Sequence, residues 1–292
     1  MGMLDLEYPR AVRRMKTVIA VIVVCLTLAI TGGAASATTT PTHATDTASS
    51  APKPTVVLVH GAFADSSGWN ATISQLQQAG YPVFAVPDPL RGLTADADYV
   101  RAFLQSVTGP IVLVGHSYGG AVITNAARGV PNVAALVYVG AFMPNEGESI
   151  ATVLNPEQFP GSLLGPQTTA VRPVPNPSAP GGQDGDIYIA IGAFRSVFAG
   201  DVSQQQADLM ARTQRPLSLT ANFEPSGAPA WKTIPSWYLV TEQDKAIPPA
   251  GQEYMAKRAG AHISTVDSAH DVMVSHPAAV TKIILRAAKA VS

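Results

Sequence analysis

Cysteine is almost absent: Cys25 is the one thiol in a chain of 292 residues. It closes no intrachain disulfide and supplies no Cys-based zinc site, so a disulfide scaffold is excluded. Charge is also scarce, at 13% of residues, and its signs balance, with Lys+Arg 19 against Asp+Glu 20. Such a chain offers no broad cationic surface to phosphates, which argues against a nucleic-acid partner. Low charge with 47% hydrophobic residues argues equally against disorder. The 24 glycines and 24 prolines follow no collagen-like or low-complexity period, and no internal repeat is found.

A membrane-spanning run is missing as well. The uncharged stretch from Thr17 to Ile30 has 14 residues, short of the roughly 20 that a spanning helix needs. Arg10, Arg13, Arg14 and Lys16 precede it, and Gly32, Gly33 and Ala35-Ser36-Ala37 follow. That layout predicts a secretory signal peptide, residues 1–37, cleaved after Ala37, with a retained N-terminal anchor as the alternative. A start at Met15 would shorten the segment without changing the mature chain. Cys25 lies within it, in a context lacking the small residues of lipoprotein processing. The mature chain is therefore expected to be extracellular, free of cysteine, without stable membrane insertion and of net charge -3. Residues 38–54, rich in Thr, Ala, Ser and Pro, read as a flexible leader.

From Thr55 to the C-terminus short apolar runs alternate with helical patterns, the signature of parallel strands buried on both faces. Strands are expected at Thr55 to Val59, Pro82 to Val86, Ile111 to Val114, Ala134 to Val139, Ser236 to Val240 and His262 to Val266. Between them, Trp69, Ile73 and Leu76 recur at helical spacing, as do Val100, Phe103, Leu104 and Val107, and later Val280, Ile283, Ile284 and Ala287. Gly80, Gly109, Gly129 and Gly260 stand where helices must stop. The interval from about Pro144 to Pro235 breaks the alternation, with a Pro/Gly-rich stretch (Arg172 to Gly182) and helical patterns around Asp186 to Phe198 and Ser203 to Arg212. It reads as an excursion over one end of a six-stranded sheet.

Chemistry concentrates where the third strand runs into Gly115-His116-Ser117-Tyr118-Gly119-Gly120 and then an apolar helix. A serine in a sharp strand-to-helix turn needs small residues two before and two after it, as Gly115 and Gly119 are. A seryl hydroxyl needs a base, and the base needs an acid to fix its tautomer. Among six histidines, His270 is placed best, four residues past the last strand. Asp244, after the strand ending at Val240, completes the order Ser, Asp, His; Glu242, Asp267, Glu146 and Glu148 compete for its role. Backbone N–H groups for an oxyanion are expected from Tyr118 and from Ala62 in the loop His60-Gly61-Ala62-Phe63. Phe63, Trp69, Tyr118, Phe142 and Met143 fall near the expected sheet edge and are candidates to shape an apolar pocket. Ile187, Ile189, Ile191, Phe194, Val197 and Phe198 are candidates from the excursion.

The segments VLVHGAFADSSGW, VGHSYGGAV and DKAIPP, with the run from His270 through Met273 and Ser275 to Pro277, resemble the α/β-hydrolase superfamily. Within it they are similar to the cap-bearing group of plant methylesterases, hydroxynitrile lyases and bacterial esterase-like proteins. The resemblance spans nearly everything from Thr55 onward. It implies an α/β-hydrolase fold with a mainly parallel sheet flanked by helices and a cap at about 145–230. It also implies Ser117, Asp244 and His270 as a triad, Ala62 and Tyr118 as oxyanion donors, and neither metal nor organic cofactor. Two departures matter: Asp271 stands beside His270 where the lyases carry lysine, and Ser117 replaces the aspartate nucleophile of epoxide hydrolases and haloalkane dehalogenases. The expected activity is hydrolysis of small to medium apolar carboxylic esters or lactones. Lyase or perhydrolase chemistry on the same triad, and a non-catalytic ligand-binding role, are the alternatives. Oligomeric state is not legible.

Overall fold

The computed structural model of the protein describes residues 52–177 and 179–292. The expected signal peptide, and the leader up to residue 51, lie outside these. The core is a six-stranded sheet of β1 (Thr55–Val59), β2 (Val83–Val86), β3 (Ile111–His116), β4 (Val133–Val139), β8 (Ser236–Thr241) and β9 (His262–Val266). Its order is β2-β1-β3-β4-β8-β9, with every pairing parallel. Thr55–Val59 and His262–Val266 are the ranges expected, and the others differ by one or two residues at an end.

Period-two alternation explains the apolar runs, because a strand covered on both faces must be apolar at every position. Val57 and Val59 of β1 and Leu113 of β3 face one core layer. Val56 and Leu58 of β1 and Val112 and Val114 of β3 face the other. Each such buried Val or Leu contributes about 1.5–3 kcal/mol. Helices α2 (Leu93–Ser106), α3 (Tyr118–Ala126) and α7 (Pro249–Arg258) fill the first layer through Val100, Ile123 and Met255. Helices α1 (Asn70–Gln78), α8 (Val272–Ser275) and α9 (Pro277–Ala290) fill the second through Leu76, Met273 and Ile284. The four glycines expected at helix ends, Gly80, Gly109, Gly129 and Gly260, all have positive φ.

Between β4 and β8 the chain leaves the sheet. It forms a second, antiparallel sheet of β5 (Thr169–Pro175), β6 (Gln183–Ile189) and β7 (Leu217–Ser218), with helices α4 (Ile191–Val197), α5 (Gln204–Thr213) and α6 (Leu219–Phe223). This corrects the helix expected from Asp186 to Phe198, whose first part is strand. It also places a strand across the Pro/Gly-rich stretch. Pro173 and Pro175 are tolerated there because β5 pairs on one side only and is an edge strand. Arg91, before α2, joins this excursion to the core through an ion pair with Asp186 at 2.6 Å.

Strand order reverses between β1 and β3, which leave their carboxyl ends side by side with connections departing to opposite faces. Open α/β sheets bind ligands at such a switch point. The loop after β1 carries His60 to Phe63, and the turn after β3 carries Ser117.

Candidate active site

Ser117 joins β3 to α3 with φ 53° and ψ −124°, a backbone strained for any residue but glycine. Glycines permit it. A Cβ on Gly115 would stand 2.5 Å from the Gly119 carbonyl oxygen, and one on Gly119 would stand 2.6 Å from that of His60. A Cβ on Gly61 would stand 2.6 Å from Ser117 Cβ and 3.0 Å from the Tyr118 nitrogen. The loop holding Ala62 therefore lies directly against the turn holding Ser117 and Tyr118. Tyr118 opens α3, where first-turn N–H groups have no intrahelical acceptor and the helix dipole favours negative charge. Ser117 is 6% exposed, and its carbonyl accepts the Phe142 N–H at 3.0 Å, which ties the loop after β4 to the same turn.

Asp244 and His270 are brought together. His270 Nδ1 lies 2.7 Å from Asp244 Oδ2, with both side chains buried. The carboxylate can only accept, so Nδ1 carries the proton and Nε2 is the basic nitrogen. Asp244 is held by four further donors: the N–H groups of Ala246 and Ile247 on Oδ1, and Thr241 Oγ1 and Gln252 Nε2 on Oδ2, each at 2.8 Å. Gln252, on the buried side of α7, also donates to the Ile247 carbonyl at 2.8 Å and accepts the Thr241 N–H at 3.0 Å. The competing acids do not replace Asp244: Glu148 pairs with Arg258, and Glu242 is exposed.

His270 reaches the Ser117 turn through His116 rather than through a hydrogen bond of Ser117 Oγ itself. His116 Nε2 donates to the His270 carbonyl at 3.0 Å, and the two rings lie 4.7 Å apart. Complete burial, helped by the neighbouring His270, holds the His116 imidazole well below its ordinary pKa, so it is neutral. His60 is likewise neutral. Burial pushes its pKa down to about 4, while Nδ1 donates to the Gly61 carbonyl and Nε2 accepts the Asp88 N–H. Both histidines brace loops.

Tyr118 is anchored by its hydroxyl, which donates to Asp96 Oδ2 at 2.8 Å. Asp96 also accepts the N–H groups of Arg91 and Gly92. Burial raises the pKa of Asp96. It raises that of Asp88 well above the usual carboxylate range, with the charge of Asp96 adding to the effect.

The candidate pocket residues separate. Phe142 lines a cavity of about 430 Å³ together with Ile150, Leu154, Phe159 and Pro248. Phe63 lines another, of about 340 Å³, on the side of Asp271. Met143 is fully buried and donates its N–H to Met255 Sδ. Trp69 is 0% exposed and belongs to the core with Leu76 and Ile283, edge-on to His116. Its helical stripe with Ile73 and Leu76 is a packing stripe, and it lines none of these cavities. From the excursion, Phe198 lies 4.9 Å from the His270 ring, with Phe194 packed behind it. Among the described residues, no three His, Cys, Asp or Glu side chains converge as metal ligands.

Gln252, Thr241, Asp96 and His116 were not legible as site residues. The run Asp244 to Pro249 ending in Pro-Pro marks a helix start, which places Gln252 one turn into α7; its inward direction is a tertiary fact.

Comparison with known proteins agrees with this fold. The pattern of the alpha/beta hydrolase family matches residues 56–283. An alpha/beta hydrolase of Aspergillus novofumigatus, nvfD, is 28% identical over 259 residues, covering 81% of this chain and 97% of that protein. A carbendazim-hydrolyzing esterase of Nocardioides is 34% identical over 117 residues, 36% of this chain and 48% of that one. The crystal structure of polyneuridine aldehyde esterase superimposes with a TM-score of 0.68 at 21% identity, covering 80% of this chain and 98% of that chain.

Proposed function

Since the chain belongs to the alpha/beta hydrolase family, we propose that it is a serine carboxylic-ester hydrolase working through an acyl-enzyme. The observation that carries this reading is the buried Asp244–His270 pair at 2.7 Å beside a serine held at φ 53°. Its relatives, named as hydrolases and esterases, support the same chemistry.

In this reading Ser117 Oγ bonds to the ester carbonyl carbon as its proton passes to His270 Nε2. The N–H groups of Ala62 and Tyr118 receive the charge that develops on the carbonyl oxygen. Asp244 holds Nδ1–H and stabilises the imidazolium. Collapse of the intermediate breaks the carbon–oxygen bond, and His270 returns the proton to the departing alcohol. Water, activated by the same nitrogen, then hydrolyses the acyl-serine. The cavity beside Phe142, walled mainly by apolar side chains, suits a small to medium hydrocarbon portion of the substrate.

The test is hydrolysis of p-nitrophenyl esters over a range of acyl lengths by the parent protein and by Ser117→Ala. The parent turns over, and the variant loses activity by roughly ten-thousand-fold or more. Equal rates in both proteins refute the serine mechanism. Export belongs to the same proposal: protein recovered from the culture medium begins at Thr38, and a chain that stays with the cells and retains residues 1–37 contradicts it.

A further inference from the structure

Among the described residues five aspartates are buried, and four have donors. Asp88 accepts the Leu90 N–H, Asp186 accepts Arg91, Asp96 accepts two N–H groups and the Tyr118 hydroxyl, and Asp244 accepts five donors. Asp271 is the exception. It is 1% exposed, Oδ1 is sealed without a partner, and among the described residues no hydrogen bond ends on its carboxyl. A desolvated carboxyl without a donor is costly, and its own backbone is already used, the N–H donating to Phe198 O at 3.1 Å.

Asp271 lines the cavity of about 340 Å³ between the loop after β1 and helix α5. No Lys, Arg or His is among its lining residues. A second carboxylate is: although burial pushes Asp65 up, hydrogen bonds from Ser67 Oγ and N–H hold its pKa below the usual carboxylate value. The rest of the wall includes Phe63, Met210 and Met273, which are apolar. The other titratable groups acting here are His270 beside Asp271, Asp201 ahead of α5, and Arg215 and the neutral His60 near Asp65. A neutral alcohol would supply a donor but no positive charge toward a wall whose two ionisable side chains, Asp65 and Asp271, are both carboxylic; an ammonium supplies both donor and charge.

We propose that this cavity binds a small organic amine, its ammonium donating to the Asp271 carboxyl and its hydrocarbon part lying against Phe63, Met210 and Met273. The site is separate from Ser117 and does not depend on the hydrolytic reading. Burial pushes Asp271 up to about 7, with the charge of His270 opposing that rise. An ammonium prefers the ionised carboxyl, so binding tightens as pH rises through that value.

The experiment is calorimetric titration of n-butylammonium chloride into the mature protein and into Ser117→Ala, at pH 6 and pH 8, with 1-butanol as the uncharged control. Both proteins bind the ammonium saturably, about tenfold more tightly at pH 8, and bind butanol far more weakly. Asp271→Asn weakens binding by about tenfold or more and removes the pH dependence. Met210→Trp, which fills the cavity from α5 and leaves Asp271 in place, blocks binding. Absence of saturable ammonium binding, equal binding of butanol, or undiminished binding by Asp271→Asn overturns the proposal. None of these readouts requires catalysis, so failure here is distinct from failure of the esterase reading.

Discussion

Asp271→Asn tests how the fold tolerates a carboxyl with no donor. In the unfolded chain this aspartate titrates near 3.8; in the folded protein burial pushes it up to about 7. Between those values the native state holds a proton that the unfolded state has released, so stability falls as pH rises. Below 3.8 both states are protonated and nothing is lost; above 7 the full cost is present. From pH 5 to pH 6 the cost is about 1.3 kcal/mol and from pH 6 to pH 7, as the folded carboxyl begins to ionise, about 1 kcal/mol, or roughly 2.3 kcal/mol across the interval. Asparagine has the same shape and does not ionise, and every other titrating group is common to both proteins. The difference in unfolding free energy, variant minus parent, therefore grows by roughly 2.3 kcal/mol between pH 5 and pH 7. For a fold of this size that is a relative gain in Tm of about 5–10 °C. The unpaired amide adds a fixed penalty of about 1–3 kcal/mol, which displaces the curve without changing its slope. Urea denaturation at half-unit pH steps measures the slope directly. Parallel curves for the two proteins would refute the reasoning, because they would mean that Asp271 titrates as it does in the unfolded chain.

Three further outcomes follow from the geometry. Gln252→Leu removes one donor from Asp244 and strands the Thr241 N–H and the Ile247 carbonyl; kcat on p-nitrophenyl esters falls about tenfold with KM little changed, and stability falls by about 2–4 kcal/mol. An unchanged kcat would remove Gln252 from any positioning role. Gly61→Ala drives a methyl group into Ser117 Cβ and the His116 carbonyl and abolishes ester hydrolysis, whereas Gly109→Ala, at positive φ but with nothing within 4 Å, costs only about 1–2 kcal/mol and leaves kcat/KM intact. His60 titrates near 6.5 when unfolded and about 4 when folded, so its contribution is complete above pH 6.5 and is lost as pH falls to 4. Over that range the parent loses roughly 3 kcal/mol more than His60→Gln, read by chemical denaturation.

The central sheet could be read from the chain because a strand covered on both faces must be apolar at every position; TVVLV and the run from Ile111 to Val114 admit little else. The Ser117 turn was legible for a related reason, since glycines at 115 and 119 are needed where backbone meets backbone. The second sheet was not legible. Its strand Thr169–Pro175 is mostly exposed and carries two prolines, so apolar periodicity is weak and turn residues dominate the pattern. Trp69 shows the opposite difficulty: a large aromatic near a sheet edge fits a core or a pocket equally well until its neighbours are known. Gln252 and Asp271 differ again. Their significance lies in which hydrogen-bond partners they have or lack, and partners five to eleven residues away, as for Gln252, leave no mark on local composition.

The close approach of Gly61 to the Ser117 turn has a consequence for how such a protein diversifies. The two segments meet almost main chain to main chain there, so the spacing between the loop after β1 and the turn after β3 is set by Gly61 and Gly119 rather than by any long side chain that drift could enlarge or trim. The geometry of the Ser117 turn is thereby insulated from most point substitutions in its surroundings. Novelty in what the molecule accepts has to come from elsewhere, and the segment between β4 and β8, which leaves the central sheet and carries its own small one, meets these loops through the backbone of Phe142 and Arg215, so its side chains can be rewritten while those main-chain bonds stay. A lineage built on this plan would keep one reaction centre while trading its clientele.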